Sequence, residues 1–195
     1  MPFFKSLWYN SSVKLWQSQM NGLHLFIDNS NIFIEAQRVA RQQYFYDDEL
    51  VIRVRISYGD LLEEIRQGRK LAETVLVGSR PPNNDSFWNQ LKTVGIEPRI
   101  FDRSTFTGKE KRVDAELTNA IRDTLEDNPT PGTIAIVTGD QDQIPALERC
   151  VKKGWAVEIY FWEQASNALK NFEGANFINL DRSFEKITFL EKVRE

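Results

Sequence analysis

Apolar and polar positions fall in repeating blocks along this chain. A short apolar run, Leu23-His24-Leu25-Phe26-Ile27, is followed by a stretch from Asn29 to Arg41 in which Ile32, Ala36 and Val39 recur near one helical face. The same succession returns at Thr74 to Gly78 with Asp85 to Val94, at Glu97 to Phe101 with Val113 to Leu125, and at Thr133 to Val137 with Ile144 to Lys152. Ala156 to Phe161 supplies a fifth run and Phe177 to Leu180 a short sixth. Brief apolar runs bounded by Gly and Pro read as strands buried on both faces, and recurrence every three or four residues reads as amphipathic helix. Strands alternating with helices predict an α/β three-layer sandwich, with a mostly parallel central sheet covered by helices on both sides. The stretch from Tyr44 to Tyr58 is less regular. There Arg53, Arg55 and Ser57 alternate with Val54 and Ile56, which predicts an edge strand or hairpin, and Asp60 opens a helix through Leu61, Leu62 and Ile65 to a stop at Gly68.

Charge enters abruptly where two of the apolar runs end. The first closes in Asp28-Asn29-Ser30-Asn31 and the fourth, Thr133 to Val137, closes in Thr138-Gly139-Asp140-Gln141-Asp142. Ligands of open α/β sheets bind outside the carboxyl ends of the strands. If the two strands are neighbours, one acidic pocket forms from distant segments, and Asp114, at the start of its helix, is placed to join it. Clustered carboxylates disfavour one another's charged forms unless cations offset the repulsion. Hard oxygen donors with a single Cys and a single His in the chain point to Mg²⁺ or Mn²⁺ over zinc. Such ions activate water and stabilise a leaving oxygen in phosphodiester hydrolysis. Asp28, Asp114, Asp140 and Asp142 are therefore the candidate catalytic and metal-binding residues. Asn31 and Thr138 are candidates to orient substrate or metal water, with capping and strand termination as their structural alternatives. Asp142 is equally open to a role as cap of the following helix. Lys109, Lys111 and Arg112 beside Asp114, and Arg80 after another strand end, are candidate phosphate contacts at the rim. Glu116, two residues past Asp114, is expected to face solvent. His24 is expected on a sheet face, and Trp88 and Trp155 in the core.

The bulk properties narrow the setting. A net charge of −3 excludes a protein that coats nucleic acid by overall charge, while leaving room for a local basic rim around an acidic centre. The lone Cys150 excludes an internal disulfide and Cys-based zinc sites, and is expected to be a buried small hydrophobe. No apolar run reaches the ~20 residues needed to span a bilayer. A cytoplasmic location is the expectation. The 195 residues are expected to divide into an N-terminal appendage over 1–20, a domain over 21–181 and a charged C-terminal tail over 182–195. Phe3, Phe4, Trp8 and Trp16 make the appendage either a helix docked on the domain, a helix for a second copy, a protein partner or a membrane surface, or a segment without fixed structure.

The combination Phe26-Ile-Asp28-Asn29-Ser30-Asn31, Lys111-Arg-Val113-Asp114 and Thr138-Gly-Asp140-Gln-Asp142, followed by Ile144-Pro145-Ala-Leu147, resembles the NYN domain, a LabA-like branch of the PIN-like nucleases, over about Leu23 to Asp181. The resemblance implies a Rossmann-like, PIN-like sandwich and a Mg²⁺- or Mn²⁺-dependent ribonuclease acting on RNA through Asp28, Asp114, Asp140 and Asp142. The chain departs from the LabA-like pattern at Gln143, where many members have Phe, at Ala120, where many have Asp, and near Asn176, where many are acidic. Those departures motivate the alternative of a catalytically weak NYN domain that binds RNA or recruits a partner. An Asp-x-Ser-x-Ser adhesion site is disfavoured because its fifth position here is Ile32.

Overall fold

The computed structural model describes residues 22–79, 85–101 and 113–193. The appendage expected over 1–20, and Arg80, Lys109, Lys111 and Arg112, lie outside the described residues. In chain order the elements are β1 (Leu23–Asp28), α1 (Asn29–Gln43), α2 (Asp48–Val51), β2 (Val54–Ile56), α3 (Tyr58–Arg66), β3 (Leu71–Ser79), α4 (Asp85–Thr93), β4 (Glu97–Phe101) and α5 (Val113–Asp127). There follow β5 (Thr133–Val137), a 3₁₀ turn (Gln141–Gln143), α6 (Ile144–Lys152), β6 (Ala156–Phe161), α7 (Asn167–Lys170), β7 (Ala175–Asn179), a second 3₁₀ turn (Asp181–Ser183), α8 (Phe184–Ile187) and β8 (Thr188–Leu190).

Six strands form one sheet in the order β4-β3-β1-β5-β6-β7, and every pairing in it is parallel. The chain builds outward from β1 to β4, returns across the sheet, and builds outward again from β5. The topological switch point therefore lies between β1 and β5. These two strands are buried along their whole length, as their uninterrupted apolar runs predict.

Alternation along the strands divides the core into two layers. Leu25, Ile27, Ala135 and Val137 face a layer with Ile32 and Ala36 of α1, Leu61 and Ile65 of α3, and Trp88 of α4. Phe26, Ile134 and Ile136 face the other layer, with Leu117 and Ile121 of α5 and Leu147 and Cys150 of α6. The result is the expected three-layer sandwich. His24 sits on the sheet as expected, buried edge-on to Trp155, with Nδ1 3.4 Å from Glu73 Oε2. Trp88 and Trp155 are both buried.

The irregular middle and the C-terminus explain each other. β2 is a strand, but its partner is β8, paired antiparallel with Val54 opposite Leu190 and Ile56 opposite Thr188, so no hairpin forms. Beyond residue 181, the stretch expected as a charged tail carries Phe184 and Ile187 into the core. Phe184 stacks on Tyr44 with ring centroids 4.3 Å apart, and the Ile187 carbonyl accepts from Ser57 N at 2.9 Å. Packing of α8 and β8 covers the edge formed by β2 and α3.

Candidate functional site

The β1–β5 register pairs Ile27 with Val137, so Asp28 and Thr138 are the next positions on neighbouring strands. Asp28 is 5% exposed and has an extended backbone, with φ −83° and ψ 100°. Its Oδ1 accepts from Asn31 N at 3.0 Å, making it the N-cap of α1. A carboxylate there satisfies a helix N–H that would otherwise lack a partner and meets the positive end of the helix dipole.

Asn31 reaches across the switch point. Its Oδ1 accepts from Gly139 N at 2.7 Å, tying the first turn of α1 to the loop that leaves β5. Glycine is required at 139 by close approach: a Cβ there would lie 2.2 Å from Cε1 of the buried Phe161 ring. The Gly139 carbonyl accepts from Ser166 N at 3.2 Å, which holds the same turn from the other side. Thr138 is fully buried, and its Oγ1 accepts from Asp140 N at 3.2 Å. Asp140, with φ −90° and ψ 120°, caps the 3₁₀ turn through Oδ1, which accepts from Asp142 N at 3.0 Å. Asp28 and Asp140 are thus carried on adjacent strand ends, each with one oxygen held by a backbone N–H.

Asp142 is exposed in the first turn of the 3₁₀ segment. The alternative role, capping the next helix, is not the one it plays. The 3₁₀ turn intervenes, α6 starts only at Ile144 with Pro145 in its first turn, and that helix has no side-chain cap bond. Gln143, which departs from the Phe expected of many LabA-like members, is buried, and its Oε1 accepts from Thr118 Oγ1 at 3.1 Å. That bond fastens the 3₁₀ turn to α5, which also packs against β1 and β3. Residue 114 lies in the first turn of α5, one turn before Thr118. Glu116 departs from the expected exposure: it is half-buried because its face of α5 meets β4, where Arg99 Nη1 lies 3.1 Å from its Oε1.

One residue near Asp28 was not marked by the sequence. Tyr58, at the start of α3, donates its hydroxyl to Asn29 Oδ1. Burial first, and then the negative charge of Asp28, push this phenol well above its ordinary range, so it stays a donor. The phenol is separated from Asn29 by 29 positions, and nothing in the local pattern links them. Among the described residues, no three His, Cys, Asp or Glu side chains gather into one metal-holding group. Asp142 therefore does not complete a three-carboxylate cage with Asp28 and Asp140.

A parallel sheet in this order, with carboxylates on both sides of its switch point, defines an α/β protein of Rossmann-like, PIN-like architecture. A family model, the NYN domain, matches residues 23–181, and the chain belongs to that family, a branch of the PIN-like nucleases. No curated protein matches the chain. Among solved structures, it is similar to a crystal structure of a protein of unknown function from Vibrio parahaemolyticus, at a TM-score of 0.61 and 16% identity, over 83% of this chain and 94% of that one. That likeness supports the fold alone. No helix among the described residues is long and apolar enough to cross a membrane.

Proposed function

We propose that this NYN domain is a ribonuclease that hydrolyses RNA phosphodiester bonds with Mg²⁺ or Mn²⁺ held by Asp28 and Asp140. The observation that carries the reading is the Asn31–Gly139 bond of 2.7 Å, which locks the two carboxylate-bearing strand ends together at the switch point. The residues fit such an ion. Mg²⁺ is usually held by only one or two carboxylates together with substrate phosphate, and it does not require an all-protein cage. Each carboxylate here is also oriented by a backbone N–H, the kind of outer hold that fixes a ligating oxygen.

When bound, the cation supplies a more acidic water and offsets charge on the scissile phosphate. The chain's own residues do the rest. Asn31 and Thr138 position the turn that bears Asp140; in this reading Asp114 and Asp142 are further acidic groups, and Arg80, Lys109, Lys111 and Arg112 take substrate phosphates. Incubating the purified protein with end-labelled RNA and Mn²⁺ or Mg²⁺ tests the reading. Cleavage by the wild type that Asp140→Asn abolishes is expected. Equal cleavage by the variant would refute it.

A second reading, an RNA-binding NYN domain with weak catalysis, has its own support. Ala120 is part of the buried core and Asn176 is exposed at a sheet edge, so neither contributes the acidic group that many LabA-like members carry. RNA binding that survives without metal, with no cleavage in either ion, would favour it.

A further inference from the structure

Beside the acidic centre, on the α1 face of the sheet, lies a cavity of about 780 Å³ that begins at Asn29 and runs between α1, α3, α4 and the β2–β8 pair. We propose that it is a nucleobase subsite, which takes an unpaired base of the RNA whose backbone lies over Asp28 and Asp140. The proposal rests on the ribonuclease reading and adds what the pocket recognises. Three observations carry it. The cavity and the acidic centre share a wall: Tyr58 lines the cavity, bonds Asn29, and feels the charge of Asp28. The walls are aromatic. Phe33, Tyr58, Phe87 and Phe189 line it, with Phe87 and Tyr58 centroids 5.8 Å apart and Phe189 52% exposed.

The third observation is charge. Among the described residues, the one guanidinium in the lining, Arg55, is already engaged. It lies 5.6 Å over the Phe33 ring, its Nη1 donates to the carbonyls of Ile52 and Val54, and its Nη2 meets Glu191 Oε2 at 2.5 Å. With Arg55 paired to Glu191, the described lining carries no excess positive charge to select a phosphate. It suits a neutral, planar group with hydrogen-bonding edges, for which Asn29, Ser57 and Gln90 provide partners. The volume lies within the range of small-ligand sites, ~300–1,000 Å³. Bases stacked on protein aromatics bind with little dependence on sequence, so the pocket would select unpaired RNA over a particular base.

The test is fluorescence anisotropy with labelled single-stranded oligoadenylate and with the same backbone carrying abasic sugars, in Ca²⁺ to keep strands intact. Wild type is compared with Phe33→Leu, which keeps bulk and removes the ring, and Phe189→Ala, which changes an exposed side chain. Each variant is expected to bind oligoadenylate about tenfold more weakly, the scale of one stacked base, and to bind the abasic strand as wild type does. Equal losses on both strands, or no loss on either, overturn the proposal; the second result would leave the cavity to an apolar peptide. Base-dependent binding with no cleavage in Mg²⁺ or Mn²⁺ keeps the subsite and removes the ribonuclease. Cleavage that depends on Asp140 but is indifferent to both variants keeps the ribonuclease and removes the subsite.

Discussion

Asn31→Ala is the perturbation that best isolates how the two carboxylates are held in register. The substitution deletes the acceptor for Gly139 N, a bond of 2.7 Å between segments 108 positions apart. Gly139 cannot move away to find another partner easily, because its turn lies directly on the Phe161 ring. A buried donor left without an acceptor costs about 1–3 kcal/mol, and since Gly139 is half-buried, water recovers part of this. The expected loss is therefore about 1–2 kcal/mol, a fall of roughly 5- to 30-fold in the folding equilibrium. Urea unfolding followed by tryptophan fluorescence reads it as a lower midpoint at unchanged slope. Loosening the turn also lets Asp140 drift from Asp28, and displacement of about 1 Å at a reacting centre can cost about 100-fold in rate. Asn31→Asp supplies the control: it keeps the acceptor, so most stability should remain, but it adds a third charge beside the pair, so Mg²⁺ should stabilise it more than wild type. An Asn31→Ala protein that unfolds at the wild-type midpoint and cleaves RNA at the wild-type rate would refute the reasoning.

Other expectations follow from the same contacts. Gly139→Ala forces a Cβ into the Phe161 ring and should lower stability by about 1–3 kcal/mol, visible as a lower Tm; an unchanged Tm would mean that the turn yields freely. The hydrogen bond with His24, reinforced by that from Thr124, holds the Glu73 carboxyl below its ordinary value against the opposing effect of burial. Because the folded value is the lower one, this contribution is complete above the unfolded pKa of ~4.3 and is lost as pH falls through the folded value. Glu73→Gln should accordingly cost stability at neutral pH and flatten the acid limb of the stability profile, and an identical acid limb would contradict it. Burial pushes the Cys150 thiol up to about 12, so the native protein should resist iodoacetamide and react only on unfolding; rapid native alkylation would argue against the packed α6.

The parallel sheet was legible because its strands are buried on both faces and so appear as uninterrupted apolar runs. The strand-end positions of Asp28 and Asp140 were legible for the converse reason, as charge that follows such runs at once or after two residues. The β2–β8 pair was not. Each strand has three residues, and the partners are joined only through the fold, so alternation at Val54 and Ile56 showed a strand without showing what it pairs with. Phe184 and Ile187 were hidden because their neighbours Arg182, Glu185 and Lys186 made the segment look like a solvated tail, although the spacing of three places both on one helical face. The caps were legible in kind but not in assignment. Capping was left open for Asn31 and Asp142, yet the caps are Asp28 on α1 and Asp140 on the intervening 3₁₀ turn. The Asn31–Gly139 bond leaves no local trace at all.

The central claim is that Asp28 and Asp140 together hold a divalent cation at the β1–β5 switch point. Anomalous diffraction from a crystal soaked in Mn²⁺ tests it most directly. The account predicts a peak in contact with carboxylate oxygens of both residues, lost in Asp28→Asn and Asp140→Asn crystals. No peak there at saturating Mn²⁺ in wild-type crystals would contradict it.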